Sequence, residues 1–367
     1  MKETQYKFKA NQKSGVILVA PLNWGLGHAT RCIPIIRKLK KQGYKVVIAS
    51  DKGALTLLKQ EFPELPAESL PAYNISYTKE AKWFKWRLLM QIPNIVKVMR
   101  AESKVTQALI EKYGITGIIS DNRFGVRNQS IPCVFITHQI QVLSGWSTPI
   151  TSWIHKRIIK RFDQCWVPDY QGEDALSGML SNDPNFKFHT AYFGPISRMK
   201  KQNLEVTIDI LVLLSGPEPQ RSMLEEIMRD KFKNYEKKVV MVCGLVQDKQ
   251  TVAMIDGIQI FNFLTSNALE KLINQSKLVI SRSGYTTVMD LAKTNTPAFF
   301  IPTPGQYEQE YLAQRLSQNL IAPYCEQSMF DPILLKQVKD YEGWPVTAQT
   351  DRKSTRLNSS HLVISYA

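Results

Sequence analysis

The stretch Ser281-Arg282-Ser283-Gly284-Tyr285-Thr286-Thr287-Val288-Met289-Asp290 follows directly on the apolar run Leu278-Val279-Ile280. It joins a strand end, a turn of small residues and a helix. Few folds admit that join: it is the repeating unit of an open parallel sheet, where ligands gather at the carboxyl ends of the strands. Ser283, Gly284 and Thr286 shape the turn and helix start, whose free N–H groups and positive dipole end suit a phosphate. Arg282 adds charge, and Asp290 is a carboxylate able to accept from a ribose diol. The next strand, Pro297-Ala298-Phe299-Phe300-Ile301-Pro302, leads into a loop carrying Gly305, Glu308, Gln309 and Glu310, groups suited to sugar hydroxyls. Two successive strand-end loops facing one ligand read as a nucleotide-diphosphate cradle.

The other half of the chain offers a second such join. Val16 to Ala20 runs into Pro21-Leu22-Asn23-Trp24-Gly25-Leu26-Gly27-His28, where Gly25 and Gly27 allow close backbone approach and a helix start can hold an anion. His28 is suited to act as acid, base or oriented donor, the alternative being a capping histidine in a tight turn. Arg31, one turn on, reads as a solvated helix residue. Asp121, in Ser120-Asp121-Asn122-Arg123-Phe124-Gly125, is a second candidate base or an Asx-turn. His138, in Thr137-His138-Gln139, is a third candidate base or a structural histidine. Ser215 and Gly216 offer a hydroxyl and a backbone N–H to a phosphate, although Pro217 and Pro219 each remove a donor. Phe263 and Leu264 end a strand and suit a nucleobase contact, or the core.

SRSGYTTVMDL…TPAFFIPTPGQYEQEYLAQ resembles the donor-site signature of MurG-like GT-B glycosyltransferases, glycosyltransferase family 28, and the Gly-His loop at residues 25–28 resembles that family's N-terminal glycine loop. The two motifs stand in compatible order and spacing across roughly residues 14 to 330. The resemblance implies an α/β GT-B architecture, two doubly wound Rossmann-like domains facing across a cleft. It implies a hexosyltransferase that moves sugar from a nucleotide diphosphate sugar, a UDP-sugar, to a lipid-linked or cell-envelope glycan acceptor, inverting the anomeric centre. Asp290 would hold ribose, Gln309 and Glu310 the sugar hydroxyls, and Phe263 and Leu264 the base. The chain departs from the family pattern at Ser120–Gly125, at His138 and at the prolines after Gly216. Gly25-Leu26-Gly27-His28-Ala29-Thr30-Arg31 also resembles the G-x-G-H-x-x-R segment of related nucleotide-sugar hydrolases. A nucleotide-sugar-binding subunit without catalysis is the remaining alternative. The sequence has no Asp-x-Asp pair, so neither metal nor cofactor is expected and helix dipoles would meet the leaving-group charge.

A chain of 367 residues with 44% hydrophobic content fits two domains. The expected division is a polar extension at 1–14, an acceptor-side domain at 15–195 and a nucleotide-sugar domain at 204–330. Residues 331–350 would begin a return to the first domain, and 351–367 would be foreign. Asp351 to His361 is what a short-read sequencing adapter encodes, and Ile364-Ser365-Tyr366-Ala367 continues it. Arg352, Lys353 and Arg356 against Asp351 give this tail a net +2, so the formal +15 becomes +13 without it. Strand expectations are Val16–Ala20, Val46–Ala49, Ile115–Ser120, Cys133–Thr137 and Gln164–Val167 in the first half. In the second they are Ile208–Ser215, Val239–Cys243, Gln259–Asn262, Leu278–Ser281 and Ala298–Pro302. Helices are expected at His28–Gln42, Trp83–Tyr113 and Ser152–Phe162.

So basic a chain attracts polyanions. No helix-turn-helix, zinc-finger or RNP-like pattern accompanies the charge, which excludes the familiar nucleic-acid modules. Lys82-Trp83-Phe84-Lys85-Trp86-Arg87-Leu88-Leu89-Met90-Gln91-Ile92-Pro93, continuing to Lys97 and Arg100, instead mixes aromatics and cations as interfacial helices do, the alternative being apolar residues on the core and cations in water. The similar segment Trp153 to Arg161 is read as a core helix with its cations in water. No run reaches the roughly 18 apolar residues of a membrane span, and the start lacks an apolar signal core. A cytoplasmic protein, peripheral on an anionic inner membrane face, is therefore expected. Five scattered cysteines without a CxxC pair suggest reduced core thiols.

Overall fold

The computed structural model describes residues 15–73 and 92–345. The N-terminal extension, most of the Lys82–Pro93 segment and the adapter-like tail lie outside the described residues. Two parallel sheets form two domains. The first comprises β1 (Val16–Pro21), β2 (Lys45–Ser50), β3 (Ala67–Ser69), β4 (Ile115–Asp121), β5 (Cys133–Ile136), β6 (Gln164–Val167) and β7 (Thr190–Tyr192). Its strand order is β3-β2-β1-β4-β5-β6-β7, so chain direction across the sheet reverses between β1 and β4. The second comprises β8 (Ile208–Leu213), β9 (Val239–Val242), β10 (Val252–Ile255), β11 (Ile258–Phe261), β12 (Ser276–Ser281) and β13 (Ala298–Phe300), ordered β10-β11-β9-β8-β12-β13. Here the reversal falls between β8 and β12, and only the β10–β11 pair is antiparallel.

The strands read as short β-branched runs because both faces are covered. Val19, Ile48 and Ile119 pack under α1 (Gly27–Lys41) and α2 (Lys52–Glu61), while Leu18, Val47 and Ile118 meet α3 (Ile92–Tyr113) and α4 (Thr148–Ile159) on the other face. In the second domain α5 (Gln220–Lys231) covers one face, and α6 (Ser266–Asn274), α7 (Tyr285–Thr294) and α8 (Tyr307–Gln318) cover the other. The expected strands and helices agree with this architecture to within a few residues at their ends, except that residues 83–91 of the helix expected at Trp83–Tyr113 lie outside the described residues. The short edge strands β3 and β7 carry too little apolar pattern to be read from sequence, and β10, Val252–Ile255, is apolar but exposed along its whole length.

Two segments depart from expectation. Residues 331–345 do not cross to the first domain: Leu334, Leu335 and Val338 pack against the second domain's core, and the indole Nε1 of Trp344 donates to the Thr296 carbonyl at 2.7 Å. Helix α4 buries Ser152, His155 and Ile159 but leaves Trp153 61% and Ile154 42% exposed, so it is not the core helix its composition suggested. Among the described residues no helix is long and apolar enough to cross a membrane.

Candidate active site in the interdomain cleft

The carboxyl ends of β1, β4 and β5 face those of β8 and β12 across a cleft. Gly25 makes the turn after β1 with φ +74°, a conformation only glycine adopts without strain, and α1 then starts at Gly27 with no side-chain cap. Opposite it, α7 starts after Gly284, again with no side-chain cap. The two helix starts touch: the Thr286 hydroxyl donates to the Gly27 carbonyl at 3.2 Å, and a Cβ on Gly27 would lie 2.9 Å from that hydroxyl.

His28 enters the cleft from the first turn of α1. Its Nδ1 lies 2.7 Å from Asp121 Oδ1 and 2.8 Å from Arg31 Nη2. Arg31 can only donate, and it donates through Nε and Nη2 to both Asp121 oxygens. The ionised carboxylate can only accept, so the 2.7 Å contact is an Nδ1–H donated to Asp121, with the Arg31 Nη2 hydrogens turned to the same carboxylate; this leaves the lone pair of His28 on Nε2. Burial, then Arg31, lowers the His28 pKa from its ordinary value, against the pull of Asp121, so the imidazole is held neutral. For Asp121 burial opposes the charge, but Arg31 and His28 outweigh it and hold the carboxyl well below the usual range.

These contacts correct three expectations. Asp121 is fully buried and paired, an orienting carboxylate rather than a base. Arg31 is not a solvated helix residue: it is 1% exposed and lies at the centre of the cluster. His138 has no free ring nitrogen for a substrate proton, because Nδ1 accepts from Arg31 Nη1 at 2.9 Å and Nε2–H donates to Glu308 Oε1 at 2.8 Å. Its ring also stacks on Tyr285, centroids 4.5 Å apart.

On the donor side, Ser215, Gly216, Phe263, Leu264, Gly284, Thr286, Asp290 and Gln309 all line a cavity of about 200 Å³ together with Gly25, Gly27 and His28. Asp290 Oδ1 accepts from Ser197 Oγ at 2.6 Å, and burial raises its pKa, with Arg198 acting against that rise. Gln309 binds the Thr303 N–H through its carbonyl, 2.8 Å. Three other expected donor ligands are engaged elsewhere. The Arg282 guanidinium is 1% exposed and donates to the carbonyls of Ile301, Pro302 and Gln220 and to Gln327, tying loops together beneath the site; burial lowers its pKa to about 10. The Ser283 hydroxyl donates to the Gln309 carbonyl at 2.7 Å. Glu310 accepts from the Gly305 N–H at 2.7 Å, and it is Glu308 that reaches the cleft. Burial opposes the Glu308 charge, but His138 holds its pKa below the ordinary value.

Arg198 was not singled out by sequence. It lies in the polar interdomain connection, lines the donor cavity, and its Nε has no hydrogen-bond partner, the nearest Asp290 oxygen being 3.9 Å away. Burial lowers its pKa, with Asp290 opposing. An arginine just past the last strand of the first domain is the signal that would have found it. Among the described residues no group of His, Cys, Asp or Glu is placed to hold a metal ion.

Comparison with known proteins agrees with this geometry. Residues 211–364 match the glycosyltransferase family 28 C-terminal domain, the part of that match beyond residue 345 lying outside the described residues. A glycosyltransferase of Methanopyrus kandleri whose activity is uncharacterized is 22% identical over 301 residues, 77% of this chain and 84% of that protein. A UDP-N-acetylglucosamine–N-acetylmuramyl-(pentapeptide) pyrophosphoryl-undecaprenol N-acetylglucosamine transferase of Haemophilus ducreyi is 21% identical over 307 residues, 78% of each. The crystal structure of MurG from Acinetobacter baumannii superposes with a TM-score of 0.50 at 16% identity, covering 94% of this chain and 93% of that one. The chain, whose residues 211–364 match the family 28 C-terminal domain, is a glycosyltransferase of GT-B fold similar to MurG.

Proposed function

We propose that this enzyme transfers a hexosyl unit from a UDP-sugar to a hydroxyl of a lipid-linked or cell-envelope glycan, by direct displacement with inversion and without a metal ion. The observation that carries the reading is His28: neutral, fixed through Nδ1 by Asp121, its Nε2 left for a substrate and the uncapped start of α7 across the cleft. His28 Nε2 takes the acceptor proton while the acceptor oxygen bonds to the anomeric carbon. The bond from that carbon to the diphosphate oxygen breaks, and its electron pair leaves with the nucleotide. The charge that develops there meets the free N–H groups of α7 and the guanidinium of Arg198. Asp290 accepts from the ribose diol, Phe263 and Leu264 border the base, and Gln309 faces the sugar.

Helix α4 supports a peripheral place on an anionic cytoplasmic membrane face. Trp146, Ile150, Trp153 and Ile154 are exposed together, with Arg157 over the Trp153 ring at 5.7 Å and Lys160 and Arg161 following. The test is a screen of UDP-, GDP-, CDP- and dTDP-sugars with and without a membrane lipid extract. Lipid-dependent release of UDP supports the transferase. Release without lipid moves the assignment to a nucleotide-sugar hydrolase, binding without turnover to a non-catalytic subunit, and absence of binding removes the donor site.

A further inference from the structure

A second cavity, about 410 Å³, opens beside the donor site and shares Trp24, Gly25, Ser215 and Gly216 with it. A group bound there therefore lies next to the donor. Two features of its wall belong to this chain's own sequence. Trp24, between the end of β1 and the glycine turn, is a large aromatic side chain left 40% exposed at the mouth of a cleft rather than packed in a core. Asp51, at the end of β2, is held in place from behind. The wholly buried Arg123 pairs with its Oδ1 and is itself anchored to Glu102 at 2.9 Å, the Pro21 carbonyl at 2.9 Å and the Pro71 carbonyl at 3.1 Å. The other oxygen, Asp51 Oδ2, has only a long contact of 3.4 Å from Asn23 Nδ2.

We infer that this cavity holds an uncharged sugar ring of the acceptor, one C–H face against the Trp24 indole and a hydroxyl donating to Asp51; the inference rests on the transferase reading above. An aromatic plane beside a fixed carboxylate matches a ring with apolar C–H faces and O–H donors at its edge. A phosphate or diphosphate next to the reacting hydroxyl fits this wall less well, because its carboxylates, Asp51 and Glu218, outnumber its one cation, Lys52. Glu218 is already paired with Arg221 at 2.6 Å, and Arg123 is sealed away from the cavity. Trp24 and Asp51 thereby set acceptor choice, Trp24 from the wall the two cavities share and Asp51 from the second cavity alone.

Octyl β-glucoside and octyl N-acetyl-β-glucosaminide serve as neutral probes, against a farnesyl-diphosphate-linked sugar, each with a saturating donor. The neutral glycosides should saturate the enzyme. Trp24→Ala should raise their KM at least tenfold and Trp24→Phe should recover most of the loss, while donor Kd should change less than twofold in Asp51→Asn, whose side chain lines only the second cavity. Asp51→Asn, close in shape, should raise KM several-fold and provides the second reading if Trp24→Ala misfolds. An unchanged KM in both variants, with the glycosides and with the diphosphate-linked sugar alike, overturns the inference. Donor Kd separates its failure from that of the parent reading. Donor binding without acceptance of any glycoside sinks the sugar-ring assignment alone, and absence of donor binding sinks both.

Discussion

His28 Nδ1 lies 2.7 Å from Asp121 Oδ1, and Arg31 bonds both oxygens of the same carboxylate. Asp121 thus orients one imidazole while being neutralised by one guanidinium. Asp121→Asn should keep donor Kd near wild type and lower kcat by roughly 10²- to 10⁴-fold, the range spanned by positioned acid–base groups. It also leaves Arg31 buried without its anion, at a cost of about 3–5 kcal/mol. Nucleotide release at saturating substrates and urea unfolding measure the two effects separately; an unchanged kcat would remove the dyad from the mechanism.

The acidic limb of kcat/KM reports the same imidazole. His28 must be unprotonated to accept the acceptor proton, so rate is lost as pH falls through its pKa, which burial and Arg31 place below the ordinary 6.5. Arg31→Gln removes a neighbouring cation, lets the ring bind a proton more readily and should move that limb to higher pH. A limb that stays in place or moves down contradicts the assignment of His28 as base.

Stability should follow a different histidine. His155 packs edge-on to Phe124 and Phe135, and burial lowers its pKa to about 4. The unfolded chain binds a proton near pH 6.5, so between those values the unfolded state holds more protons and stability falls as pH falls. At pH 5 the loss relative to pH 7.5 should be about 2 kcal/mol from this group. His155→Phe should flatten the slope in urea denaturation at the two pH values; an unaltered slope assigns the acid sensitivity to other groups.

Donor affinity should depend on Asp290. Asp290→Ala removes the proposed ribose acceptor and also frees Ser197 and the side of Arg198. A loss of about 10- to 100-fold in UDP-sugar Kd, about 1.4–2.7 kcal/mol, is expected by titration calorimetry. Wild-type affinity would displace the ribose from α7.

The parts of the site legible in sequence are those made by neighbours in the chain. The turns at Gly25–His28 and Ser283–Thr286 follow from strand, small residues and helix in succession, and both lie at the cleft. Arg31 escaped because its partners Asp121 and His138 stand 90 and 107 residues away. Arg282 misled because composition cannot say whether a side chain at a strand end turns out to the ligand or in toward the carbonyls of Ile301 and Pro302. At the start of α8, Glu308 and Glu310 are two positions apart and so point to different sides, a matter of helix register alone. In α4 the same composition suits a core stripe or an interfacial one, and only packing decides between them.

The bond from His138 to Glu308 joins the domains, and through Arg31 it belongs to the same cluster that fixes the base. Beside that bridge the Tyr285–His138 stack and the Thr286–Gly27 contact also cross the cleft. Any parting of the two domains would break the bridge, the stack and this contact in one movement. The contacts that hold the two halves together are thus the same ones that align His28, so a change in the seating of the domains would be felt at that imidazole.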